Sequence, residues 1–304
     1  MSGEADLIRA LRALAHDPAA RGLADDAAVL DWGGKRLVLT HDMLVESVHF
    51  LPDDPPESVA WKLLAVNLSD LAAKGARPVG ALMGYSLHGD AAWDAAFVRG
   101  LAVALDHFGV PLLGGDTVRA PSRMLGLTLL GEATGSVPDR RGANMGDALF
   151  VTGSLGDAAL GLSLLQSGAT EPVSLIEAYR LPMPQLEAGA LISVFSPAMM
   201  DVSDGLLIDA ARMAEASQVG IRIDLDAIPL SPAFTALAGQ DRQARLAAAT
   251  GGDDYQLLFV SGRPLPALPC PVTRIGQIVR GSSIQLYDSG GEVPLPDRLG
   301  WEHH

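Results

Sequence analysis

Ala65 to Pro78 reads Ala-Val-Asn-Leu-Ser-Asp-Leu-Ala-Ala-Lys-Gly-Ala-Arg-Pro, and no other stretch constrains this chain as much. Leu64, Leu68, Leu71 and Ala72 recur at helical spacing, so an amphipathic helix is expected. Gly75 and Pro78 supply its stop. Asn67 and Asp70 are three residues apart and share one face, which is otherwise apolar. A carboxylate on such a face needs a hydrogen bond, an ion pair or a metal, because an isolated buried charge is very costly. Met200-Asp201-Val202-Ser203-Asp204-Gly205-Leu206 then echoes Val66-Asn67-Leu68-Ser69-Asp70-Leu71 in the other half of the chain. The echo predicts one ligand site built from both halves; duplication and chance both remain open as its origin.

The strand and helix pattern is mixed. Residues 4 to 15 read as a short helix, and Ala24 to Leu30 as a loop entering a strand. Trp32-Gly33-Gly34-Lys35 reads as a hairpin turn, after which Arg36 to Thr40 forms a strand presenting Thr40-His41-Asp42 at its end. His49 follows, readable on its own as a core or capping histidine. A strand at 79–87, a helix at 91–108, a short strand at 110–113 ending in Gly114-Gly115-Asp116-Thr117, and a strand at 124–132 complete an α+β first half. The turn-rich residues 136 to 147 mark a boundary, giving α/β domains at 1–138 and 139–304. A length of 304 residues fits about two domains. In the second half, Gly153-Ser154-Leu155-Gly156 joins a strand to a helix. Such a turn either cradles phosphate on its N–H groups or is simply a turn; the Gly-Lys-Ser/Thr ending of a Walker A motif is missing. Helices at 185–195 and from Asp204 to Ser217, and strands near 199–203, 221–225, 256–260, 272–279 and 283–287, complete the pattern. The chain ends Gly300-Trp301-Glu302-His303-His304, where the two histidines are either native or a tag remnant.

Composition narrows the chemistry. The net charge is −14 and the 22 Lys and Arg are scattered, which sets nucleic acid aside as a partner. One cysteine, Cys270, rules out an internal disulfide and a cysteine metal cluster. No leader peptide and no bilayer-length apolar run is visible, so a cytoplasmic protein is expected. Asp25, Asp26, Asp42, Asp70, Asp116, Asp201, Asp204 and Asp253 each sit near Gly, Ser or Thr, at a strand end or helix start. Hard oxygen donors without cysteine suit Mg²⁺, Mn²⁺ or Ca²⁺. No loop has EF-hand spacing, and Mg²⁺ characteristically combines few carboxylates with substrate phosphates, so a Mg-nucleotide enzyme fits best.

Six stretches carry a family resemblance: Asp25 to Leu30, Thr40 to Phe50, Asn67 to Pro78, Gly114 to Thr117, Asp201 to Gly205 and Gly251-Gly252-Asp253-Asp254-Tyr255. With the terminal Gly-Trp, they resemble the thiamine-monophosphate kinase family, in the fold group of aminoimidazole ribonucleotide synthetase and selenophosphate synthetase. The resemblance implies a two-domain α/β architecture that dimerises through its N-terminal sheet. It implies direct in-line transfer of the ATP γ-phosphoryl group onto thiamine monophosphate, assisted by several Mg²⁺ ions. By motif position, Asp26, Thr40, His41, Asp42, Asp70, Asp116, Asp201 and Asp204 would hold metal, with Asp70, Asp116 and Asp204 central to catalysis. Gly115, Asp116, Arg140 and Ser203 would contact ATP. His49, Asp253 and Trp301 would contact thiamine monophosphate, Trp301 offering a ring face to the thiazolium cation. The chain departs from the family pattern at Ala24, usually Gly, at His41, often Thr, and at Asp253, usually Glu. The alternatives are an ATP-dependent synthetase of the same fold acting on another small substrate, and a non-catalytic Mg-nucleotide-binding relative. A selenophosphate synthetase would carry an N-terminal Cys or Sec, and a carbamoyl-dehydratase relative a terminal Cys; both are absent.

Overall fold

The computed structural model describes residues 4–302; His303 and His304 lie outside them. Helix α1 (Glu4–Arg12) is shorter than its apolar pattern, and a 3-10 turn at Pro18–Leu23 follows, begun by Asp17 accepting from Ala19 N. Strands β1 (Ala28–Trp32) and β2 (Lys35–Val45) form the expected hairpin, with Trp32 paired to Lys35. Gly33 and Gly34 take φ of 58° and 79°, which a side chain would resist. Strand β2 runs five residues beyond the expected Thr40, because β5 (Met124–Ala133) pairs with it from Arg36 to Val45. His41 and Asp42 therefore lie within the strand and point to opposite faces.

Helix α2 (Pro56–Ala73) begins nine residues before the expected Ala65, and it is not amphipathic in its surroundings. Every residue from Ser58 to Ala73 is buried except Trp61, which is partly so. The reason is its position. It packs on the first sheet and on α3 (Ala91–Phe108) on one side, and on α6 (Leu186–Ile192) and β7 (Met199–Val202) on the other. The sheet runs β1-β2-β5-β3-β4, with β3 at Arg77–Leu87 and β4 at Leu112–Arg119. Parallel β3 and β4 are joined through α3. The stretch expected to turn at Gly114-Gly115 stays extended and inside β4. A side chain at Gly115 would place its Cβ 1.9 Å from the Met83 carbonyl oxygen, so the tight pairing of these strands requires glycine.

The second sheet has the order β12-β11-β8-β10-β6-β9-β7. Its strands are β6 (Ala148–Thr152), β7, β8 (Gly220–Asp224), β9 (Gln256–Ser261), β10 (Val272–Val279), β11 (Ile284–Asp288) and β12 (Gly291–Val293). Helices α4 (Asp157–Gln166), α7 (Leu206–Ser217), α8 (Pro232–Ala238) and α9 (Arg242–Thr250) accompany it, with α5 (Val173–Arg180), which periodicity did not reveal. Among the described residues each sheet carries a large apolar core, and the two are not sealed off from each other. Tyr255 of the second half packs into the core of the first. Ala72 and Ala73 of α2 share a third cluster with Ile192, Met199, Leu257 and Phe259. Among the described residues, no helix is long and apolar enough to cross a membrane.

Candidate active site

The polar side chains of α2 build the site, because a buried helix must pair each one. Asn67 accepts from Asp42 N at 3.0 Å, and Thr40 donates to Asp70. This face of the helix, which the three-residue spacing of Asn67 and Asp70 predicts, meets β2. Lys62 and Ser69, seven apart on another face, reach the second half. Ser69 donates to Asp201 Oδ2 at 2.6 Å and Lys62 to Asp253 Oδ2 at 2.7 Å. Carboxylate oxygens of Asp26, Asp70 and Asp201 thereby lie within 4.8 Å of one another. The two Ser-Asp stretches do converge, but in different conformations: one is mid-helix, the other passes from β7 into the loop before α7.

Charge is unevenly distributed over these acids. Burial alone would raise the Asp26 pKa, but Lys74 and Arg140 outweigh it and hold the carboxyl at about 2. Lys74 is wholly buried and also pairs with Asp25 at 2.5 Å, which Arg21 holds from the other side. Asp25 and Asp26 thus divide: Asp26 enters the cluster and Asp25 anchors the loop. The inner acids behave oppositely. Burial, then the charge of Asp26, lifts Asp42 to about 6. Asp70 and Asp201 are pushed well above the carboxylate range, by burial first and then by neighbouring acids. Their hydrogen bonds from Thr40 and Ser69 offset only part of this. An ionised Asp26 beside Asp70 and Asp201, whose own ionised forms are this disfavoured, suits a hard divalent cation, which supplies the missing positive charge.

At the far side, Arg212 pairs with Asp204 at 2.5 Å and with Asp209 at 2.7 Å. Asp209 was not singled out in the sequence. It is fully buried, accepts from Ser203 N and Asp204 N, and is raised to about 7 by burial despite Arg212. It fixes the backbone of the Ser203-Asp204 loop from behind. The Gly153–Gly156 turn is a turn and not a vacant cradle: both oxygens of buried Asp254 accept from Gly156 N at 2.9 Å.

The three expected substrate contacts lie beside the acids. Asp253 N donates to Ser203 O at 2.7 Å, and Trp301 N to Asp204 O at 2.9 Å. The His49 and Trp301 rings are 5.9 Å apart, and Trp301 is 41% exposed. His49 Nδ1 also accepts from Val45 N, which orients its ring. Arg140, expected at ATP, forms a two-pronged ion pair with Asp26.

Asp116 and His41 stand apart. Asp116 on β4 is in register with Gly84 on β3, Gly84 with Gly126 on β5, and Gly126 with Met43 on β2. Three strand spacings therefore separate it from β2, about 14 Å. His41 faces the sheet surface opposite α2, where its Nδ1 lies 2.8 Å from Thr128 Oγ1. Sequence reasoning overlooked Lys62, Lys74 and Arg212. The only signal was basic residues interrupting apolar helices.

Comparison with known proteins agrees with this geometry. Residues 24–137 match the AIR synthase related protein N-terminal domain and residues 144–257 the corresponding C-terminal domain. A thiamine-monophosphate kinase of Caulobacter vibrioides is 40% identical, covering 98% of this chain and 89% of its own. One of Escherichia coli K12 is 36% identical, covering 93% and 91%. A solved structure described as AaThiL complexed with AMPPCP and TMP superposes with a TM-score of 0.89 at 32% identity, covering 99% and 97% of the two chains. The thiamine-monophosphate kinase from Stenotrophomonas maltophilia gives 0.79 at 38% identity, covering 95% and 96%. With both halves matched, and with relatives this similar over nearly their whole length, the chain belongs to the thiamine-monophosphate kinase family of AIR synthase-related proteins.

Proposed function

We propose that the protein transfers the γ-phosphoryl group of ATP to thiamine monophosphate, giving thiamine diphosphate and ADP. A terminal phosphate oxygen of thiamine monophosphate forms the new bond to the γ-phosphorus as the bond to the ADP oxygen breaks. One observation carries the reading. Asp253 and Trp301 are hydrogen-bonded by their backbones to the Ser203-Asp204 loop, so a carboxylate and an aromatic pair, Trp301 with His49, adjoin the buried carboxylate cluster. Asp26, Thr40, Asp42, Asp70, Asp201 and Asp204, with the His41 backbone, would hold Mg²⁺. When bound, Mg²⁺ neutralises the polyphosphate and the charge developing on it. Arg140 exchanges Asp26 for a phosphate oxygen when ATP enters, and Ser203 lines the nucleotide side; Gly115, beside Asp116 on the edge strand β4, would reach the nucleotide of a partner copy. His49 and Trp301 flank the thiazolium.

The acting unit is a homodimer of chains divided at residues 138 and 139. The sheet face opposite α2 exposes Met43, Leu82, Leu113 and Val118, an apolar surface that a second copy would cover. In that assembly Asp116, about three strands from its own cluster, serves the site of the partner copy.

Purified protein given MgATP and thiamine monophosphate should form thiamine diphosphate and ADP in equal amounts, read by chromatography. Chelator and Asp70→Ala should each abolish both. Binding of ATP and Mg²⁺ without product would overturn the reading in favour of a synthetase for another substrate or a non-catalytic relative.

A further inference from the structure

Lys62 belongs to α2, but its ammonium serves three segments distant in sequence. It donates to Asp253 Oδ2 at 2.7 Å and to the His49 carbonyl oxygen at 3.2 Å. It also lies 3.9 Å from the centroid of the Tyr179 ring, on α5. Its side chain is 3% exposed, whereas that of Asp253 is 30% exposed. A substrate can therefore reach the carboxylate but not the ammonium. Asp253 needs an external hold: its φ of 68° is a conformation that few non-glycine residues adopt, and so is the 50° of Tyr255, whose hydroxyl donates to Asp253 Oδ1. Lys62 and Tyr255 thus engage one oxygen each. Each oxygen keeps acceptor capacity for the open side, where a cation or an amine would sit. The His49 carbonyl fixes the second substrate-facing segment to the same nitrogen.

We propose that Lys62 is the positioning residue of the substrate pocket, holding the His49 segment of the first half and the Asp253 loop of the second in one register. This rests on the assignment of thiamine monophosphate to that pocket. The ammonium acts through Asp253 and His49 and makes no contact with the nucleotide side. Its loss is felt as weaker binding of the cationic substrate, with ATP binding preserved.

The test compares steady-state kinetics of the wild type, Lys62→Met, Lys62→Arg, Asp253→Asn and the Lys62→Met/Asp253→Asn double variant. We expect Lys62→Met to raise KM for thiamine monophosphate about tenfold or more, with kcat and KM for ATP changed less than about threefold. Lys62→Arg should restore most of the loss. The double variant should be no worse than the poorer single, because the two groups act as one unit. Equal rises in both KM values, a fall confined to kcat, or additive losses would overturn the assignment. If Lys62→Met fails to fold, Lys62→Arg and Asp253→Asn decide: an unchanged KM for thiamine monophosphate in Asp253→Asn overturns it. A wild type that makes no thiamine diphosphate removes both this assignment and the substrate reading. A wild type that does, with variants matching its KM, removes only the role of Lys62.

Discussion

The hydroxyl of Ser69 donates to Asp201 Oδ2 at 2.6 Å across 132 residues of chain. That bond ties the central helix to β7 at the point where three carboxylates meet. It also favours the ionised form of Asp201, which burial and neighbouring charge otherwise keep from ionising.

Replacing an inner acid should therefore separate activity from stability. Asp201→Asn keeps the shape but replaces a carboxyl group that burial and neighbouring acids hold back from ionising until a cation binds. Turnover should fall by about a hundredfold or more, the usual scale for losing one preorganised electrostatic group. The melting temperature in chelator should stay level or rise. A melting temperature that drops sharply in chelator would contradict the charge assignment.

The pH dependence carries a definite sign. Asp42 sits at about 6 when folded, above the usual carboxylate value of about 4. Its protonated form thus favours folding, and that contribution declines as pH rises from about 4 to about 6. Mg²⁺ binds the ionised form and should cancel the decline. Thermal melts from about pH 4 to 7 should show the gap between Mg²⁺ and chelator widening up to about pH 6 and levelling above it. A constant gap would count against Asp42 as a ligand.

Lys74 makes the opposite case. It is buried against Asp25 and Asp26, both with their side chains almost fully covered. Lys74→Met leaves two carboxylates without their shared cation and should cost about 3–5 kcal/mol in chelator, the scale for breaking a buried pair. Mg²⁺ at Asp26 should recover part of this. Urea unfolding with and without Mg²⁺ measures both numbers; equal losses in the two conditions would place Asp26 outside the metal set.

The placement of Asp116 predicts complementation. Asp70→Ala and Asp116→Ala chains should each be inactive alone. Refolded together at equal amounts, they should regain about a quarter of wild-type sites, because half the dimers are mixed and each mixed dimer has one complete site. No recovery would mean that Asp116 acts within its own chain. Leu113→Glu, on the exposed face, should shift the protein to monomer in sedimentation.

Much of this was legible in the residues themselves. The Asn67–Asp70 spacing located one face of α2, and the Ser-Asp echo located its partner in the other half. The Gly-Gly turn after Trp32 set the first hairpin. What stayed hidden depends on long-range pairing. Nothing local links Lys62 to Asp253, 191 residues away, or reveals that β4 lies at a sheet edge far from β2. The full burial of α2 was also out of reach, because a helix with charges in it reads as surface until their partners are known. The Gly153–Gly156 turn was ambiguous until Asp254 was seen to take up Gly156 N.

The burial of α2 on all sides also governs how the chain is born. The helix leaves the ribosome early, yet the strands that cover its second flank, β7 and β9, arrive more than a hundred residues later. Until then an apolar flank studded with Lys62 and Ser69 lies open to water and to other nascent chains. A fragment ending near residue 138 inherits that exposure permanently. Splitting the gene between the two matched regions, 24–137 and 144–257, would yield two sticky pieces, whereas co-expressing them gives each the surface the other lacks.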